Sequence, residues 1–334
     1  MSNVIEAPAM NAGTASAQPY VRDDVRGVLM MLAASEQPDM WDMPIADARM
    51  AYTAMGMLAE AEPAPLAIVR DLVCPGPAGD IPLRYYDARE SRSAGPVILF
   101  FHGGGFVIGD LESHHSWCTD IASKMDLPLI AVDYRLAPEH PFPAAPDDCE
   151  AATRWVADNG KELGLDITGI ITTGDSAGGN LTLVVGQALT ASPASVPLIM
   201  QAPIYPAVDG LAGEGSFSDF AEGYLLTRDA MHWFDKCYAA PNGNPRRDCI
   251  HGDIPASPPT LLATAGLDPL RDQGRAYAAK LVEAGVNTVY LEFAGSIHGF
   301  TCLRKAIPSA QTDCDTIYGH WKLLLAGLGH APEQ

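Results

Sequence analysis

From Pro96 onward the chain alternates two kinds of hydrophobic pattern. Short, continuously apolar runs recur: PVILFF (96–101), LPLIAVDY (127–134), GIITTG (169–174), VPLIMQAP (196–203), TLLATAG (260–266) and TVYLEF (288–293). Runs of this length predict strands covered on both faces. Between them lie stretches with helical spacing, which predict helices over 113–125, 145–163, 177–190, 272–284 and 309–328. Strand–helix alternation implies a mostly parallel sheet with helices on both sides. Upstream, LAIVRDLVC and IPLRYYD flank PGPAGD and predict two antiparallel edge strands, making eight in all.

Two segments break the alternation. Residues 20–60 are helical and rich in Ala and Met. Residues 207–240 hold a Gly-rich loop and then TRDAMHWFDKCYAA, an amphipathic helix with Thr227 as N-cap. Both are expected to lie as a cap over the carboxyl edge of the sheet. This divides the chain into 1–60 (arm and cap helices), 61–206 (catalytic domain, first part), 207–240 (cap insertion) and 241–334 (catalytic domain, second part). The small, polar residues at the start suggest a mobile arm.

Composition narrows the function. The 334 residues carry 21 Lys and Arg against 41 Asp and Glu, a formal charge of −20. That argues against a phosphate-neutralising face, so no nucleic acid is expected, and it disfavours anionic membrane surfaces. Only 6 of the basic residues are Lys. No apolar run approaches a membrane span, and the first residues lack the n- and h-regions of a secretory signal. The 7 scattered Cys, without a C-x-x-C pair, fit free thiols in the cytoplasm. His114, His115 and Cys118 read as part of an ordinary amphipathic helix, because no second ligand pair with metal spacing follows. No metal or organic cofactor is expected.

The chemistry sits at strand ends. Gly174-Asp175-Ser176-Ala177-Gly178 is a G-x-S-x-G between a β-branched run and a helical pattern, the setting of a nucleophile elbow. His102-Gly103-Gly104-Gly105 follows an apolar strand, where amides without side chains can converge on a carbonyl oxygen; with Ala177 they form an expected oxyanion hole. A phosphate loop is the rival reading, and neither phosphate fingerprint fits. His102 precedes the nucleophile and reads as a residue shaping the glycine loop. Asp268 follows TLLATAG and His298 follows TVYLEF, in the order Ser, Asp, His. Asp272 competes with Asp268 but reads as the N-cap of the next helix. Phe106, Tyr205, Tyr224, Leu225 and Ile297 are the expected substrate contacts.

The motifs HGGGFVIGDLESHH, DYRLAPEHPFPAA, GDSAGGN, GLDPLRD and IHGF resemble the hormone-sensitive-lipase-like, or family IV, bacterial carboxylesterases of the α/β-hydrolase fold. They span about 96–300, and GDSAG rather than GTSAG marks the subgroup. The resemblance implies Ser176 as nucleophile, His298 as base, Asp268 as orienter, and oxyanion donors at Gly103, Gly104 and Ala177. It gives DYRLAPE a structural role behind the site, and implies a small ester as partner and a homodimer. The expected function is hydrolysis of short-chain carboxylic esters through an acyl-enzyme. The alternatives are a binding protein on the same scaffold, as in plant gibberellin receptors, or an amidase or acyltransferase using the same triad. The presence of His298 favours catalysis.

Overall fold

A computed structural model of the chain describes residues 19–35, 38–210 and 214–330, so the expected mobile arm lies outside the described residues. Its elements are α1 (Asp23–Ala33), α2 (Ile45–Ala59), β1 (Ile68–Gly76), β2 (Gly79–Asp87), β3 (Gly95–Phe101), α3 (His115–Met125), β4 (Leu129–Val132), α4 (Ala144–Asp158) and α5 (Gly160–Leu163). There follow β5 (Ile167–Asp175), α6 (Ala177–Ala191), β6 (Leu198–Ile204), α7 (Ser216–Asp219), α8 (Arg228–Tyr238), β7 (Thr260–Leu267), α9 (Arg271–Glu283), β8 (Thr288–Ile297) and α10 (Ser309–Gly327).

The eight strands form one sheet in the order β1-β2-β4-β3-β5-β6-β7-β8. β1 and β2 pair antiparallel, as do β2 and β4, and every other pair is parallel. The continuous apolar runs follow from this layout. In β3, Ile98 and Phe100 face the layer of α1, α3 and α10, while Val97, Leu99 and Phe101 face α4 and α6. Helix α1 is seated at the flank, with Val25 and Val28 in the first layer and Arg22 paired to Asp313 of α10.

The predicted helix over 145–163 is broken after Asp158. The Asn159 amide donates to Trp155 O at 2.8 Å, taking up a carbonyl at the last turn of α4. Thr227 caps α8 as expected, its hydroxyl accepting Ala230 N–H at 3.2 Å. Asp272 is not a cap. It sits inside the first turn of α9, and its carboxylate accepts Ser216 N–H at 2.9 Å and pairs with Arg271 and Arg275. Sequence spacing places Asp272 near a helix start but does not reveal the loop it holds, 56 residues upstream.

Candidate active site

Every chemical group of interest sits just past the carboxyl end of a parallel strand, where helices and loops leave a crevice. Ser176 follows β5, the glycine loop follows β3, Asp268 follows β7 and His298 follows β8.

The elbow is tight. Ser176 has φ +55° and ψ −116°, a backbone state a side chain seldom adopts, and it lifts the hydroxyl off the sheet. The packing around it demands glycine. A Cβ on Gly174 would lie 2.2 Å from Phe101 O, and one on Gly178 would lie 1.9 Å from the same atom. Helix α6 begins at Ala177, so its positive end faces the serine.

Ser176 Oγ lies 2.9 Å from His298 Nε2, and His298 Nδ1 lies 2.7 Å from Asp268 Oδ2. Asp268 is fully buried, and its other oxygen accepts Leu270 N–H at 2.8 Å. The carboxylate therefore accepts Nδ1–H, which leaves Nε2 with its lone pair toward the serine hydroxyl. Tyr205 backs this line. Its ring packs on His298 at 4.7 Å, and its hydroxyl bonds to Thr301 Oγ1.

The glycine loop departs from expectation at one position. Gly103 is buried and donates its N–H to Asp175 Oδ1 at 2.8 Å, so that amide is turned away from the crevice and already satisfied. Gly104 and Gly105 are partly exposed, with φ +107° and +60°. Among the described residues, the N–H groups of Gly104, Gly105 and Ala177 have no protein acceptor. The loop rests on His102, whose Nδ1 lies 2.7 Å from Gly103 O. Tyr134 of the DYRLAPE segment stacks on His102 at 4.2 Å and donates to its carbonyl. Burial pushes the His102 imidazole down to about 4, with His114 adding to the effect. Burial alone would raise Asp175, but His114 beside it brings its carboxyl below the usual range.

A cavity of about 640 Å³, open to solvent, holds Ser176 and Ala177 at one end. Phe106, Leu226, Met231, Phe234, Tyr238 and Leu270 form its apolar wall, with Phe106 stacked on Tyr238 at 3.9 Å. Asp209, Asp235, Asp248 and Arg247 stand on the same lining. A second cavity lies under α2, where Tyr52, Met55 and Leu225 take part in its wall. Of the expected substrate contacts, Phe106 lines the first cavity and Leu225 the second. Tyr224 packs edge-on against Phe220. Tyr205 and Ile297 are buried at 1% and 0% exposure; Tyr205 supports His298 and Ile297 is core, so neither is among the residues lining these two cavities. The sequence reading missed Met231, Phe234 and Tyr238. Their i, i+3, i+7 spacing on α8 was the available signal, since one face of that helix points at the serine.

A family model described as the alpha/beta hydrolase fold matches residues 98–302. The chain is 38% identical over 249 residues to esterase LipI of Mycobacterium tuberculosis, covering 72% of this chain and 78% of that protein. It is 36% identical over 237 residues to an ethyl acetate hydrolase of Pseudomonas putida, covering 69% and 74%. Among solved structures it is similar to an ester hydrolase from the metagenome of Lake Arreo, complexed with a bipyridine phosphonate derivative. That match has a TM-score of 0.87 at 37% identity and covers 93% of this chain and 100% of the other.

Proposed function

The chain belongs to the hormone-sensitive-lipase-like carboxylesterases of the α/β-hydrolase family, and from that premise we propose the residues that carry out its hydrolysis of carboxylic esters. The observation that carries the assignment is the hydrogen-bonded line Ser176–His298–Asp268. Ser176 Oγ attacks the ester carbonyl while His298 Nε2 takes its proton, and Asp268 stabilises the imidazolium that forms. The carbonyl oxygen becomes an oxyanion held by the N–H groups of Gly104, Gly105 and Ala177. Gly103 is not among these donors; its bond to Asp175 sets the loop that presents the next two. His298 returns the proton to the leaving alcohol, and water then clears the acyl-enzyme by the same path in reverse.

Helix α2 and the 207–240 segment act as the cap. The cavity beneath α8 takes one arm of the ester, against Phe106, Met231, Phe234 and Tyr238. Its finite apolar wall favours short acyl chains of about two to eight carbons, because a chain gains only while its methylenes fit. Three carboxylates against one guanidinium on the same lining favour neutral esters over anionic ones. Among the described residues no helix is long and apolar enough to cross a membrane, and seven free cysteines support a cytoplasmic setting.

The test is covalent labelling. A serine-directed phosphonate is expected to give one adduct per chain, on Ser176, with complete loss of ester hydrolysis. Ser176→Ala is expected to take up no label, keep its circular dichroism, and lose about 10⁶ in kcat. Label on another residue, or a tenth of the activity surviving in the variant, would remove the assignment.

A further inference from the structure

Behind the glycine loop, three side chains of different chemistry meet: His114 at the start of α3, Asp175 before the nucleophile, and Cys302 in the turn after His298. His114 Nε2 lies 3.2 Å from Asp175 Oδ1, and with Cys302 Sγ the ligand atoms all fall within 4.8 Å of one another. We propose that His114, Asp175 and Cys302 form a binding site for a borderline-soft divalent cation such as Zn²⁺, and that its occupation inhibits the esterase reversibly. The inhibition rests on the esterase reading above, whereas the binding does not.

The hydrogen bonds supply the first argument. Ser113 Oγ donates to Asp110 O at 3.0 Å and lies 3.0 Å from His114 Nδ1, so its own proton is committed and it accepts Nδ1–H. With Nδ1–H given to Ser113, Nε2 either donates a second proton to Asp175 or, once that proton is removed, stands as a lone pair beside the carboxylate oxygen. These two acceptors share a single donor, Gly103 N–H, at 3.3 and 2.8 Å. A cation takes the place that a proton on Nε2 would otherwise hold. Ser113 meanwhile fixes the tautomer and ring orientation, as partners of ligating histidines do.

Distance and donor type supply the second. Tetrahedral Zn²⁺ with N, O and S ligands at about 2.0–2.3 Å holds its ligand atoms roughly 3.3–3.8 Å apart. The N–O pair is already near that spacing, and the thiol has to approach by at most about 1 Å to reach it. An imidazole–carboxylate–thiolate set suits Zn²⁺ or Co²⁺ and not Mg²⁺ or Ca²⁺, which require oxygen. Access is the third. Asp175, Ser113 and Cys302 all border the roughly 400 Å³ cavity under α2, which gives an entry path and room for water as fourth ligand.

Burial and Asp175 push the Cys302 thiol well up, so the free protein carries S–H there. On binding, the metal–sulfur bond forms as that proton leaves to solvent. The ion draws Asp175 Oδ1 away from Gly103 N–H, and it ties the elbow, the start of α3 and the turn carrying His298 to one centre. The oxyanion amides lose the anchor that sets them, so turnover falls.

The experiment uses the full chain, ZnCl₂ or CoCl₂ in a non-chelating buffer, and a nitrophenyl ester. One Zn²⁺ per chain is expected by equilibrium dialysis, with at least a tenfold loss of kcat at saturation that EDTA reverses. Co²⁺ is expected to give a near-ultraviolet thiolate-to-cobalt band. Cys302→Ser is expected to keep its metal-free kcat within twofold, weaken Zn²⁺ binding at least tenfold and lose the band. Cys237→Ser is expected to change none of these. Zn²⁺ acting with equal potency on Cys302→Ser would place the ion on His298 and overturn the proposal, as would a Co²⁺ spectrum without the thiolate band or no bound metal. Failure of the esterase reading would appear separately, as no hydrolysis by the metal-free wild type.

Discussion

Replacing Asp268 by Asn tests the site at its most informative atom. The wild-type carboxylate accepts two donors at once, His298 Nδ1–H at 2.7 Å and Leu270 N–H at 2.8 Å. An asparagine has one oxygen and one NH₂. With the oxygen toward Leu270, the NH₂ faces Nδ1, and the imidazole must carry its proton on Nε2. It then cannot accept the Ser176 proton. With the amide flipped, the tautomer is right but NH₂ and N–H face each other in a fully buried site, which costs about 1–3 kcal/mol. The productive form is thereby reduced roughly 5- to 150-fold. That form also lacks the charge that stabilises the imidazolium. The whole loss should be on the order of 10⁴ in kcat, or about 5 kcal/mol, the size seen when the same change is made in a serine protease. The assay is kcat and KM on nitrophenyl butyrate at neutral pH, with circular dichroism and Tm on the same samples. KM should change little. Asp272→Asn, which alters a partly exposed cluster with Arg271 and Arg275, should stay within about threefold in kcat. Asp268→Asn retaining a tenth of wild-type kcat with its fold intact would refute the tautomer argument.

Three further outcomes are expected. Across linear acyl chains, kcat/KM should rise about fourfold per methylene and then fall sharply once the α8 cavity is full. Met231→Ala should move that peak to longer chains, and a profile still climbing at sixteen carbons would rule out a finite apolar wall. A terminal carboxylate on the acyl chain should cost about 2 kcal/mol, roughly 30-fold, and less as salt is raised; equal rates would dismiss the charge argument. Stability should also depend on His102. Its pKa is about 4 when folded, against an ordinary value of 6.5, so the unfolded chain binds the extra proton between those values. The contribution is complete above pH 6.5, is lost as pH falls toward 4, and is flat below. Between pH 7 and 4.5 the wild type should lose about 3 kcal/mol more than His102→Gln in urea unfolding. Parallel losses in the two proteins would mean that His102 is not held neutral.

Strand-end chemistry was the most legible part of the sequence. Ser176, Asp268 and His298 each follow an apolar run, and a parallel sheet must deliver such positions to one edge whatever the details of packing. The same logic gave the strand count and the antiparallel edge pair. It failed where a side chain reaches across the chain. The glycine triplet announced backbone donors, but nothing in its spacing revealed that Asp175, 72 residues on, claims the Gly103 amide. Asp272 looked like a cap because its loop partner is equally remote. Ile297 directly precedes His298 and Tyr205 directly follows β6, yet both side chains are turned inward.

The ion pairs at the flank bear on how the chain comes to be folded. Arg22 pairs with Asp313, Asp24 accepts Ser309 N–H, and Glu60 pairs with Arg304. Helices that precede the sheet in the chain are thus fastened to a segment that follows it, while the base stands 122 residues beyond its nucleophile. Until that late stretch emerges, α1 and the end of α2 lack these ion pairs, although Arg49 of α2 can already reach Val107, Ala137 and Glu139, and a nascent chain holds its serine and its glycine loop without a histidine to activate them. The ion pairs that fasten α1 and α2 and the arrival of His298 therefore depend on the same late stretch of chain, and the long-range contacts it makes are of the kind that form slowly.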